Sequence, residues 1–211
     1  MNPDDPRSVR TDDALSSAIR RLAATKPVEE LGVNEVCAAS GVSRATFYRR
    51  ARTPGELLAS EFESTLRAAF AEHQAKQSTV QRGAELLVWH REMLDWLTRH
   101  IEANAAIYRH SFGVDHSVLS LVLRNEMLRK LHGYLDSRRD QIVLPVALRD
   151  QPWPVTREIL SRNYADGEIG LFKVWLDMPS KQRDRQTLAE WMLALTPAWN
   201  RRLMDMGGGR V

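Results

Sequence analysis

One cysteine, Cys37, stands in 211 residues, which excludes an internal disulfide framework and any zinc site built on paired cysteines. No apolar run approaches the roughly 20 residues that a membrane-spanning helix needs. The first ten residues, MNPDDPRSVR, lack the apolar core of a secretion signal, so a cytoplasmic protein is expected. Alternation of apolar and polar residues never lasts long enough for a strand, and the expected fold is all-α. Glycine-rich phosphate loops, a nucleophile elbow and an H-E-x-x-H pattern are all missing. His90-Arg91-Glu92 has the spelling of a deaminase zinc motif, but its cysteine pair is missing. Residues two apart on a helix also point in different directions. No catalytic residue, metal or cofactor is expected, and the chain reads as a non-enzyme.

What is present is typical of a soluble globular chain, 43% hydrophobic and 27% charged, with a net charge of +3. The charge is concentrated locally. Residues 43–52 carry Arg44, Arg49, Arg50 and Arg52 with no acid among them. Around them the stretch VNEVCAASGVSRATFYRRARTPGEL reads as two short helices joined by a turn. Val33, Val36 and Cys37 give the first an apolar side, Gly41 supplies the turn, and Ser43 is a good N-cap for the second. With Phe47 as the inward direction, Ala51 falls near the same side. Ala45, Tyr48, Arg49 and Arg52 face away, with Thr46 at the edge and Arg44 on the flank. A short helix burying one aromatic and showing Arg, Thr and Tyr outward has the make-up of a DNA recognition helix. Arginine can grip guanine O6 and N7 together, while Tyr and Thr hydroxyls can bond phosphates. An ordinary helical hairpin with a solvated basic face fits the same spacing.

The segment resembles the N-terminal domain of TetR/AcrR-type transcriptional regulators, on the pattern Gly41, Val42, Ser43, Thr46, Tyr48 and Leu57. The resemblance implies a helix-turn-helix protein whose recognition helix, 43–52, touches double-stranded DNA, with Arg44, Ala45, Thr46, Tyr48 and Arg49 at the family's contact positions; Ser43 and Arg52, on the same segment, complete the candidate DNA-binding set. It also implies a homodimer on a palindromic operator and a C-terminal domain that binds a small-molecule effector, most often in a repressor. Three positions depart from the family pattern: Cys37 in the first helix, Ala51 where an aromatic is usual, and Pro54 where a phosphate-contacting Lys is usual. The alternative is a helical small-molecule- or protein-binding dimer with weakened DNA binding.

Four segments are expected along the chain. Residues 1–10 form a mobile arm. Residues 11–76 form the DNA-binding domain, opened by Thr11 as cap and closed by a long fourth helix that starts at the Thr53-Pro54-Gly55-Glu56 capping box. Residues 77–204 form the effector-binding and dimerisation domain, and 205–211 a disordered tail. On the fifth helix, apolar residues cover more than one side. His90, Met93, Trp96, Leu97, His100, Tyr108 and Phe112 are candidates for an effector pocket. Taken singly, each would also suit an ordinary core. The last two long helices resemble the family's dimerisation helices, with Tyr164, Gly167, Gly170, Leu171, Trp175, Trp191 and Leu195 as the candidate interface.

Overall fold

The computed structural model describes residues 6–77, 83–114 and 117–204. Among these residues all regular structure is helical, as the missing alternation implies. The long elements are α1 (Pro6–Ala23), α2 (Val33–Ser40), α3 (Arg44–Tyr48), α4 (Pro54–Gln77), α5 (Ala84–Ala103), α6 (Ala105–Phe112), α7 (Val118–Ser137), α8 (Trp153–Asp177), α9 (Arg185–Ala194) and α10 (Ala198–Leu203). No helix among the described residues is long and apolar enough to cross a membrane.

The chain forms two compact units, Met1–Leu66 with Asn104–Leu123, and Arg67–Ala103 with Arg124–Val211. The division falls inside α4 and inside α7, not after α4 as the sequence reading placed it. In the first unit the apolar stripe of α1 (Leu15, Ala18, Ile19) is buried together with Val36, Phe47, Leu58 and Phe62. Helix α6 belongs to this unit because it brings Tyr108, fully buried, edge-on to Phe62 at 5.7 Å. Asn104, just before α6, accepts from Arg20 at 3.2 Å. Arg20 also pairs with Glu61 and lies 5.2 Å over the Phe62 ring.

Helix α1 starts at Pro6, five residues before the expected cap at Thr11, so residues 6–10 are helical and no arm. Proline is tolerated in a first turn because its missing N–H has no intrahelical partner there. Residues 1–5 of the expected arm and the expected tail at 205–211 lie outside the described residues.

In the second unit α5 buries Leu86, Trp89, His90, Met93, Leu94, Leu97 and Ile101. Helix α8 turns Leu160, Tyr164, Phe172 and Trp175 inward and leaves Val155, Ile159 and Val174 exposed. Helix α9 ends at Ala194 with Leu195 as its cap, and Pro197 caps the start of α10, which buries Trp199, Asn200 and Leu203.

Candidate nucleic-acid interface and interior cavity

The helix-turn-helix is built from caps. The Glu35 carboxylate accepts from the Gly32 N–H at 2.8 Å, which fixes the start of α2. Gly41 ends it with φ 70°, and a Cβ there would meet nothing within 4 Å, so the glycine is needed for its backbone angle and not for space. The Ser43 hydroxyl accepts from the Thr46 N–H at 3.3 Å, opening α3. Phe47, with no exposed surface, anchors α3 to the core and thereby fixes which side chains face out. Burying one such ring contributes about 1.5–3 kcal/mol.

Facing out are Ser43, Arg44, Ala45, Tyr48, Arg49 and Arg52, with Thr46 partly exposed. Five of them are linked, in two groups. Arg44 donates to Asn34 Oδ1 at 2.7 Å and to the Tyr48 hydroxyl at 3.2 Å. Arg49 donates to the Thr46 hydroxyl at 2.8 Å, and Ser43 donates to the same oxygen at 3.0 Å. The Ser43 hydroxyl is thus committed to the cap. Arg50, the remaining arginine of the basic run, is held by Asp12 at 2.7 Å and by Ser8, so it braces α1.

The recognition helix is shorter than the expected 43–52. Regular helix ends at Tyr48, where the Arg49 and Arg50 N–H groups turn back only three residues, to the Thr46 carbonyl at 3.3 Å and the Phe47 carbonyl at 2.8 Å. Thr53 and Glu56 then start α4 reciprocally: the Thr53 hydroxyl accepts from the Glu56 N–H at 3.1 Å, and the Glu56 carboxylate accepts from the Arg52 N–H at 2.7 Å. Pro54 and Ala51 are both buried, so these two of the three departures from the family pattern lie behind the exposed row.

A cavity of about 30 Å³, room for one or two waters, lies inside the second unit. Of the candidate pocket residues, His90, Met93 and Leu97 line it, with Trp89, Met127, Lys130, Tyr134, Tyr164, Glu168 and Asn200. Trp96 and His100 do not line it. They stack on each other at 5.3 Å, partly exposed. Tyr108 and Phe112 belong to the core of the first unit, 5.6 Å apart. Their candidate role is corrected: Tyr108 packs on Phe62 of α4, and Phe112 packs on Tyr108.

Burial dominates the electrostatics of the cavity. It pushes His90 down to about 3, aided by Lys130, and so keeps the imidazole neutral. His90 Nε2 meets the Tyr164 hydroxyl at 2.9 Å. The Tyr164 phenol is raised well above its ordinary value by burial and by Glu168. Tyr134 donates to Asn200 at 2.6 Å. Lys130 and Glu168 were missed in the sequence because charged residues on helices read as surface. The signal was present: Glu168 sits four residues from both Tyr164 and Phe172, on the buried line of α8.

The candidate interface residues divide. Gly167, Gly170 and Leu195 are exposed, and Leu171 and Trp191 are partly exposed. Trp175 and Tyr164 are buried within their own unit, and these two are corrected as interface candidates. The Trp175 indole donates to the Asp184 carbonyl at 3.1 Å, and Tyr164 faces the cavity. The exposed apolar line of α8 runs instead through Val155, Ile159 and Val174, which are 44%, 44% and 57% exposed.

Residues 15–60 match the family described as bacterial regulatory proteins, tetR family. No curated protein matches the chain. Solved structures do. The fatty acid degradation regulator FadR from Bacillus halodurans aligns over 95% of this chain and 96% of its own, at 15% identity and a TM-score of 0.64. A TetR transcriptional regulator from Streptococcus agalactiae 2603V aligns over 88% and 93%, at 21% identity and a TM-score of 0.60. The dihydroxyacetone kinase operon activator DhaS aligns over 89% and 94%, at 14% identity and a TM-score of 0.58. Identities this low establish a common fold.

Proposed function

We propose, from the match of residues 15–60, that this chain is a DNA-binding regulator of the tetR family, a homodimeric, ligand-responsive repressor reading a palindromic operator through α3. One observation carries the reading. Phe47 is fully buried, and its burial presents an acid-free row of Arg44, Thr46, Tyr48 and Arg49 outward, already organised by mutual hydrogen bonds. Such a row can bond phosphates and base edges together. The dimer is assigned to the outer face of α8, with Leu195 beside it in the proposal. A two-fold dimer implies two half-sites whose centres lie about one or more helical turns (~10 bp each) apart. A ligand in the second unit then acts by differing in affinity between two dimer states, with α4 as the connecting element.

A gel-shift with the DNA upstream of the protein's own gene tests this. A retarded band that competitor DNA of scrambled sequence fails to abolish supports it. No band at low salt favours the alternative, a small-molecule- or protein-binding dimer with weakened DNA contacts. That alternative rests on Ala51, where the family has an aromatic, and on Pro54, which stands in place of a phosphate-binding cation. One structural neighbour is described as an operon activator, so a reporter fusion decides the sign of regulation.

A further inference from the structure

The cavity of the second unit already holds a cation, and it is the protein's own. Lys130 leaves α7 and places its ammonium 5.0 Å from the centre of the Trp89 ring and 5.3 Å from that of Phe70. The Tyr134 ring continues the wall, parallel to Trp89 at 6.2 Å. Aromatic faces attract an ammonium through the ring quadrupole. Glu168 also lines the cavity, 7% exposed, and its Oε1 has no hydrogen-bond partner among the described residues. Its carboxyl engages Tyr164. A buried carboxylate oxygen without a donor is costly and calls for one.

Ring faces, an unpartnered carboxylate oxygen and an apolar floor make a seat for an organic cation. We propose that the effector is an organic ammonium ion whose head displaces Lys130 from Phe70 and Trp89 and donates to Glu168 Oε1. Its hydrocarbon part lies against Met93, Leu94 and Leu97. The proposal rests on the reading of the chain as ligand-responsive, and it names the class of ligand. Displacement follows from size, since with Lys130 in place the cavity admits only water-sized groups. Lys130 is partly exposed and has a four-carbon stem, so it can carry its charge out to water. Exchanging one cation for another keeps the charge facing Glu168 balanced. An anionic ligand pairing with Lys130 would instead bring a second negative charge against Glu168 in a dry site.

The test compares N,N-dimethylhexylammonium, hexanol and hexanoate by calorimetric titration into the full chain. The tertiary ammonium has one N–H, matching the one unpartnered oxygen. It should bind saturably, with one site per chain and at least about tenfold more tightly than the other two. Lys130→Met removes the internal competitor and should tighten ammonium binding about tenfold, whereas Glu168→Gln should weaken it by a similar factor. A measurement on the unaltered protein covers the case of a variant that does not fold. Acylation of Lys130 by an N-hydroxysuccinimide ester, read by mass spectrometry, should rise when the tertiary ammonium is bound. Tighter binding of hexanoate, no binding of the ammonium, or no change in Lys130 acylation overturns the proposal. DNA retardation is followed in the same samples. Retardation without ammonium binding sinks only the ligand class; ammonium binding with the expected variant pattern but no DNA binding sinks the regulator reading.

Discussion

Arg44 and Tyr48 are bound to each other on α3: the guanidinium donates to the phenol oxygen at 3.2 Å and lies 5.7 Å from the ring centre. Because Arg44 is also bonded to Asn34, the exposed row is arranged before any DNA arrives. Arranging side chains in advance lowers the ordering cost of binding.

Tyr48→Phe removes one hydroxyl and leaves the fold alone, since Tyr48 is 50% exposed. A phosphate-bonding hydroxyl carries little sequence information. The variant should therefore weaken operator and random duplex alike, by about 0.5–1.5 kcal/mol. Filter-binding titrations of both duplexes check this, and a loss confined to the operator would make Tyr48 a base reader.

Ile159 and Trp175 share α8 but should fail in different ways. Ile159, on the exposed line, is expected at the dimer seam, so Ile159→Asp should give folded monomers in sedimentation. Trp175 is fully buried and donates to Asp184, so Trp175→Ala should cost about 3–5 kcal/mol of stability. An Ile159→Asp protein that remains dimeric would move the seam off this face.

His90 gives the second unit an acid-side weakness. Its folded pKa, about 3, lies below the ordinary 6.5, so between those values the unfolded chain binds a proton that the native chain does not. Stability from this group is fully present above pH 6.5 and falls as the pH drops towards 3, by up to about 1.4 kcal/mol per unit. His90→Gln keeps a hydrogen-bonding group for Tyr164 and should flatten that slope. Urea denaturation at pH 7 and pH 5 measures it; equal slopes in both proteins would show that His90 is not the titrating group.

Much of the first unit was legible in sequence because its signals are local. Phe47 as pivot, Gly41 as turn, Ser43 as cap and the Thr53–Glu56 box each act within a few residues. The second unit was harder. Helix α8 is apolar on two sides, and periodicity alone does not say which side meets its own chain, so Trp175 and Tyr164 read as interface candidates although both are buried within their own unit. The assignment of α6 to the first unit depends on the Tyr108–Phe62 contact, across 46 residues, which local pattern does not reveal. Lys130 and Glu168 read as surface until the apolar residues one turn away on each side were seen to be buried.

The central claim, that α3 reads sequence, is tested most directly by titrating wild type and Arg49→Ala against the retarded upstream duplex and a scrambled duplex at two salt concentrations. Arg49 is exposed and bonded one turn back, to the Thr46 hydroxyl at 2.8 Å, a contact it can exchange for a guanine edge. Wild type should prefer the operator, with both affinities falling as salt rises. Arg49→Ala should lose about 1–3 kcal/mol on the operator and little on the scrambled duplex. Equal wild-type affinity for the two duplexes at both salt concentrations would contradict sequence reading by α3.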